Sequence, residues 1–352
     1  MTVGLMQRVL ASYRVPFFDL LAEKLDGGLS LFAGEARPEE MIDSSRLPER
    51  AELYRAENLH LFGGKAYLCV QRNVMDWLEQ THPDVLIQEA NLRYPLSAAA
   101  ARWMHRRNRP VIGWGLGTGK LSGPLLRSHL KRYDALLTYS SAGRDSYVAA
   151  GFPADKIFLA VNAAVRRPIR SMPQRKPDFD GLPVLLYVGR LQERKRPDLL
   201  IRACAALSRP VQPVIVGDGP IRSDLEALAA EIYPQTRFTG ALYGDALTAE
   251  FDRADVFVMP GTGGLALQQA MASALPLVAA EADGTGEDLV RPENGVRIPG
   301  GDPDALTGAL ELLLTDPAEL RRMGAASFRI VSQEANLDTM AEIFQRAVQS
   351  VI

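Results

Sequence analysis

Cysteine is almost missing from this sequence: there are two in 352 residues, Cys69 and Cys204, with no CxxC pair and no histidine at metal-ligand spacing. This scarcity excludes a disulfide framework and a cysteine-based zinc site, and both thiols read as core residues. Apolar runs of the roughly 20 residues needed to cross a bilayer are also absent, and the opening MTVGLMQRVLASYR lacks a signal peptide's long apolar centre. The expected location is cytoplasmic, with at most a peripheral position at the inner membrane face. Low-complexity tracts and nucleic-acid motifs are lacking too, so neither long disorder nor a nucleic-acid partner is expected.

What is present is an ordinary enzyme-like composition, 47% hydrophobic and 23% charged, in a chain long enough for two domains. The net charge of −2 hides a division, about +5 through Arg167 and about −7 beyond it. The basic excess gathers in RWMHRRNR (102–109) and LLRSHLKRY (125–133), where Arg127, Lys131 and Arg132 lie on or near one helical face beside Leu126 and Leu130. Such a face reads either as solvated or as a contact for an anionic membrane or a phosphorylated substrate.

Short apolar runs alternate with amphipathic stretches along the whole chain. In residues 1–165 the runs are LSLF (29–32), DVLIQE (84–89), PVIGW (110–114), ALLTY (135–139) and KIFLAVN (156–162), with helices expected over 66–80, 96–107 and 142–151. Residues 166–183 hold four prolines and no period, and read as a linker. The rhythm resumes over 184–334 with VLLYVG, PVIVG, RFTG, DVFVMP and LPLVAAE, and a last helix over 335–352 is expected to pack back on the first domain. Continuous apolar runs separated by helices mean parallel strands buried on both faces, so the fold class is α/β, two Rossmann-like doubly wound domains facing across a cleft.

Ligands bind such sheets at the carboxyl ends of their strands. In the second half four strands end in glycine-bearing turns: Gly189 before RLQERKRP, Gly217 and Gly219 in VGDGP, Gly240 in RFTGALYG, and Gly261, Gly263 and Gly264 in MPGTGGLALQQ. Arg190 and Lys195 in the first turn make a good diphosphate clamp, and read equally as basic residues of a surface loop. In the first half, GWGLGTGK (113–120) fails the Walker pattern at Trp114 and Leu121. The loop instead reads as cleft-facing, with Trp114 stacking a sugar ring beside Gly115, or with Trp114 as plain core. The histidines at 60, 82, 105 and 129 read as structural or surface residues.

The ordered set VGRLQERKRPDLLIRA, VIVGDGP, RFTG, ADVFVMPGTGGLALQQAMASALPLVAAE and EDLVRPENGVRIPGGDPDALTGALELLLTD resembles the retaining GT-B glycosyltransferases of family 4, the glycosyl transferases group 1. The resemblance implies a nucleoside-diphosphate sugar held by the C-terminal domain, an acceptor held by the N-terminal one, and no metal or other cofactor. Arg190 and Lys195 match the family's pyrophosphate-binding pair, and backbone around Gly240 and Leu242 would meet the nucleobase. Gly263, Gly264 and Leu265 open the helix whose N–H groups would face the diphosphate.

Two departures stand out. The family's paired glutamates, eight positions apart, fall on Gly261 and Gln269. An amide can still hydrogen-bond a ribose hydroxyl, whereas the sugar-reading acid is lost. Asp283 and Thr285 are the candidates to replace it. The usual glycine-rich loop after the first strand is RVLASYRVPFF (8–18), so Tyr13 and Arg14, with Glu89, Asn91, Arg93, Trp114 and Gly115, are the expected contacts of a glycan or lipid-linked acceptor. A GT-B sugar epimerase and a non-catalytic scaffold are the competing readings. The first would need acids and a histidine that this chain offers sparingly, and the second has no use for the Arg190–Lys195 pair.

Overall fold

A computed structural model describes residues 1–40, 42–119, 123–263, 265–281 and 286–352. The chain forms two compact units, one of Met1–Ala164 with Leu337–Ile352 and one of Val165–Asn336.

The first unit runs β1 Val3–Val9, α1 Val15–Lys24, β2 Leu29–Gly34, β3 Glu52–Arg55, β4 Asn58–Leu61, β5 Leu68–Gln71 and α2 Val74–Thr81. It continues through β6 Val85–Glu89, α3 Ser97–His105, β7 Val111–Gly115, α4 Gly123–Leu130, β8 Ala135–Thr138, α5 Ser141–Ala149 and β9 Ile157–Leu159. The main sheet has the order β3-β2-β1-β6-β7-β8-β9, all parallel, and β4 with β5 forms a separate antiparallel pair. Residues 66–80 are therefore not one helix. Leu68–Gln71 alternates half-buried and buried side chains, pairs with Asn58–Leu61, and hands over to α2 only at Val74.

The second unit runs β10 Val184–Val188, α6 Pro197–Ala206, β11 Gln212–Val216, α7 Arg222–Ile232, β12 Arg237–Gly240, α8 Gly244–Arg253 and β13 Val256–Met259. Then come α9 Leu265–Ala272, β14 Leu277–Ala280, α10 Gly286–Leu289, β15 Gly295–Ile298, α11 Pro303–Thr315 and α12 Pro317–Gln333. Its sheet is parallel throughout, in the order β12-β11-β10-β13-β14-β15. Strands such as Val256–Met259 and Leu277–Ala280 are buried along their whole length because helices cover both faces. Asp302 and Asp316 cap α11 and α12 by accepting from Ala305 N and Glu319 N, each with proline as the first helical residue.

The last helix, α13 Leu337–Gln349, belongs to the first unit, where Phe344 meets Phe17 of α1 and Trp114 of β7 at ring-centroid distances of 4.9 and 4.8 Å. Residues 166–183 have no regular secondary structure. They are nonetheless held by Arg175, which donates to the carbonyls of Phe251 (3.0 Å), Ser273 (2.7 Å), Ala274 (3.2 Å), Asp252 and Ala254. These carbonyls sit at the ends of α8 and α9, where no further helical turn exists to satisfy them.

Candidate active site

A doubly wound sheet opens a crevice where the strand order reverses, beyond the carboxyl ends of the two strands that flank the reversal. In the second unit these strands are β10 and β13. The loop after β10 carries Gly189, exposed Arg190 and half-buried Lys195, and the loop after β13 carries Gly261, Thr262 and Gly263.

The two loops are latched together. Thr262 N donates to Arg194 O (3.1 Å), the Arg194 guanidinium donates to Thr262 Oγ1 (2.9 Å), and Lys195 Nζ donates to Thr262 O (3.2 Å). A β carbon on Gly261 would lie 2.4 Å from the Lys195 carbonyl carbon, so this residue is glycine because the other loop occupies the space. The acid aligned with Gly261 is thus lost together with the room for any side chain. Burial, and then the neighbouring Arg194 charge, holds the Lys195 ammonium below its ordinary value. A desolvated cation next to a second cation is stabilised by an anion bound between them.

The remaining donor candidates lie along the same carboxyl edge. Gly189 N donates to Val216 O (3.0 Å), Leu191 N to Asp218 O (2.9 Å) and Gly217 N to Gly240 O (2.8 Å), which ties the ends of β10, β11 and β12 into one strip. Gly217 approaches Gly189 O so closely that a β carbon would lie 1.9 Å from it, and at Gly219 one would lie 2.2 Å from Leu191 O. Leu242 is half-buried just past β12, and Leu265 begins α9. Of the paired glutamines Gln268 is buried, while Gln269 is exposed and lines a cavity of about 430 Å³ with Gly244, Leu247, Thr248 and Arg170. Gly264, Asp283 and Thr285 lie outside the described residues.

In the first unit the order reverses between β1 and β6, and Arg8 N, near the end of β1, donates to Glu89 Oε2 (2.5 Å) at the end of β6. Glu89, Asn91, Arg93, Trp114 and Gly115 all line one cavity of about 890 Å³, joined by Tyr67, His129 and Tyr139. Enclosure pushes the Glu89 carboxyl up to about 7, against the lowering effect of the Arg8 amide and the charges of Arg8 and Arg14. Burial, aided by the Arg132 charge, pushes His129 down to about 4, so this ring is neutral at physiological pH.

Trp114 does not stack a sugar. The residue borders the cavity but is only 1% exposed, because its ring is packed against Phe17, Tyr139 and Phe344. Tyr13 is 46% exposed, whereas Arg14 is 6% exposed and places its guanidinium over the rings of Tyr13, Trp114 and Tyr139. Arg14 is therefore a buried cation behind the cavity wall and not a surface hook. Sequence reading passed over Arg194 and Thr262. Arg194 stood inside the basic loop already singled out, but Thr262 carries no signal of its own.

The family model described as glycosyl transferases group 1 matches residues 182–316. Among curated proteins, the chain is 33% identical over 195 residues to a GDP-mannose-dependent monoacylated alpha-(1-6)-phosphatidylinositol monomannoside mannosyltransferase of Corynebacterium glutamicum, covering 51% of each chain. It is 29% identical over 269 residues to a GDP-mannose-dependent alpha-(1-6)-phosphatidylinositol monomannoside mannosyltransferase of Mycobacterium tuberculosis, covering 69% of this chain and 68% of the relative. The chain spans about half the length of several curated relatives it matches. Among solved structures, it superposes on the lipopolysaccharide outer core galactosyltransferase WaaB in its apo form, with a TM-score of 0.72, 16% identity and full coverage of both chains. It also superposes on Anabaena HepE in complex with UDP, with a TM-score of 0.72 and 16% identity over 99% of this chain and 100% of that one.

Proposed function

From a chain whose C-terminal domain belongs to the glycosyl transferases group 1 and whose two domains take the GT-B fold, we propose a retaining glycosyltransferase. It moves a hexose from a nucleoside-diphosphate sugar to a glycan or lipid-linked acceptor in cell-surface polysaccharide or glycolipid synthesis. The observation that carries this reading is the latch between the loops after β10 and β13, which holds Lys195 in the loop that also carries the exposed Arg190, at the switch point of a parallel sheet.

In this reading Arg190 and Lys195 hold the donor diphosphate, and their charge stabilises it as the bond to the sugar's anomeric carbon breaks. Pre-positioned cations in a partly desolvated loop need little reorganisation as negative charge builds on the leaving oxygen. The acceptor hydroxyl takes the place of the diphosphate on the same face of the sugar, and its proton passes to a donor phosphate oxygen. No side chain of the second unit is then required to act as a general base. Gln269 accepts or donates a hydrogen bond to a ribose hydroxyl, backbone near Gly240 and Leu242 meets the base, and Asp283 and Thr285 are proposed to read the sugar. The acceptor is held by the first unit through Glu89, Asn91 and Arg93. GDP-mannose is the first donor to try, because several relatives are named for it.

A melting-temperature panel of GDP, UDP and ADP with their sugars identifies the donor, since saturating ligand at 100 times its Kd raises stability by about 2.7 kcal/mol. NMR of the product's anomeric centre then tests the stereochemistry. An α-linked product from an α-linked donor is expected. A β-linked product overturns the retaining assignment, and a panel in which nothing shifts the melting point overturns the donor site.

A further inference from the structure

The basic stretch at 125–133 has a use separate from the donor loops. Beyond the end of α4 lies a second cavity of the first unit, about 330 Å³, with Arg127, Lys131 and Lys156 at its mouth and Leu130, Tyr133 and Phe152 on its floor. The three cations are exposed and the three floor residues are buried. Asp134 and Lys156 immediately precede β8 and β9, so the cavity sits at the amino-terminal edge of the sheet, whereas the acceptor residues follow the carboxyl ends of β6 and β7. Leu130 lines both cavities, and α4 is the wall they share.

Several cations elsewhere on this unit's surface pair with carboxylates: Arg8 with Glu40, Lys24 with Glu342, Arg50 with Glu23 and Arg107 with Glu79. Among the described residues Arg127, Lys131 and Lys156 have no carboxylate within 4 Å. The one acid of the cavity wall, Asp134, is already used by His105 (3.2 Å) and by the amide of Val111 (2.8 Å). Three like charges around one mouth repel one another within a Debye length of about 8 Å at physiological salt. An anion with two or more acceptor oxygens removes that repulsion, and a phosphoryl group does so with geometry that arginine matches. The apolar floor directly beneath adds a second requirement, because a bare inorganic anion leaves Leu130 and Phe152 unused.

We propose that this cavity binds a phosphate ester carrying an apolar chain, with the phosphoryl oxygens on Arg127, Lys131 and Lys156 and the chain on Leu130, Tyr133 and Phe152. The same chemistry is offered by a phospholipid of a membrane and by a free phosphorylated amphiphile. The site is independent of the donor reading, and its test measures binding without transfer.

The probes are dihexanoylphosphatidic acid and glycerol 3-phosphate, titrated calorimetrically, together with flotation on phosphatidylcholine vesicles with and without phosphatidylglycerol. The variant is the triple Arg127→Gln/Lys131→Gln/Lys156→Gln, all at exposed positions, with intact folding verified by the tryptophan fluorescence of the first unit. We expect the chain-bearing ester to bind at least about tenfold tighter than glycerol 3-phosphate, as burial of a few methylenes requires. We expect the triple variant to lose about a hundredfold in affinity, close to one factor of five per cation near an anionic group. Flotation that depends on phosphatidylglycerol and is lost in the variant assigns the ligand to the membrane. Binding of the short-chain ester without flotation assigns it to a soluble amphiphile. Equal affinity for the two esters, equal binding by parent and variant, or no binding by either probe overturns the proposal, whatever nucleotides do at the second unit.

Discussion

Gly263 separates two uses of glycine in one loop. A β carbon there would lie 2.8 Å from Lys195 Nζ, the mobile end of a side chain, whereas at Gly261 it would meet fixed backbone at 2.4 Å. Gly263→Ala is therefore expected to push the ammonium off Thr262 O and weaken nucleoside-diphosphate binding about tenfold, the worth of one charged hydrogen bond, and its φ of +155° adds a backbone strain of about 1–3 kcal/mol. Gly261→Glu, though it restores an acid where the family carries one, is expected to part the two loops and destabilise the second unit by about 1–3 kcal/mol, as overpacking does. Both variants lower the melting temperature, and calorimetric titration reads the loss of nucleotide affinity in Gly263→Ala. A Gly261→Glu protein that keeps its stability and gains sugar affinity would show the loops to be looser than described. Glu89 gives a prediction in pH. Its folded-state value of about 7 lies above the ordinary 4.5, so the folded state binds more protons, and stability is full at low pH and declines as pH rises from about 4.5 through about 7. Glu89→Gln removes that decline, matching the parent below pH 4 and exceeding it by about 2–3 kcal/mol above pH 7. All three tryptophans, Trp77, Trp103 and Trp114, belong to the first unit, so urea unfolding followed by their fluorescence reads this unit alone. Parallel pH profiles for parent and variant would falsify the assignment.

Among elements, the segment 166–183 reads from its prolines as a passive connector, yet Arg175 binds five carbonyls at the ends of α8 and α9, those of Phe251, Asp252, Ala254, Ser273 and Ala274. Removing a buried charged donor from these carbonyls is expected to cost about 2–3 kcal/mol. For a unit of this size, Arg175→Ala should lower its calorimetric transition by roughly 5–10 °C and leave the tryptophan transition of the first unit in place. A shift in both transitions, or in neither, contradicts the anchoring role. The parallel strands were legible in sequence because burial on both faces leaves unbroken apolar runs such as VLLYV and VFVM. The β4–β5 pair was not. Leu68, Cys69 and Val70 followed by Val74, Trp77 and Leu78 also satisfy a helical period, and four residues of alternation are too few to distinguish the two. Arg175 and Thr262 were invisible for another reason, since each acts on residues 67 to 99 positions away, beyond any local pattern.

At the scale of the molecule, both units have the same parallel, doubly wound order, and each gathers its candidate residues at the carboxyl edge beside its reversal point. That much follows from sequence, because alternating runs and helices fix the topology and the topology fixes the edge. The roles of single side chains at that edge were only partly readable. Glu89, Asn91 and Arg93 do share a cavity, but Trp114 proved to be core because α13, more than 200 residues later in the chain, returns Phe344 to cover it. The proposed donor site depends most on a diphosphate clamp made by Arg190 and Lys195. Isothermal titration of the parent and of Lys195→Ala with the nucleoside diphosphate and the matching monophosphate tests it directly. The clamp predicts that the parent prefers the diphosphate by about tenfold or more, and that Lys195→Ala loses most of this preference while keeping its affinity for the monophosphate. Equal affinity of the parent for the two nucleotides, or an unchanged preference in Lys195→Ala, would contradict it.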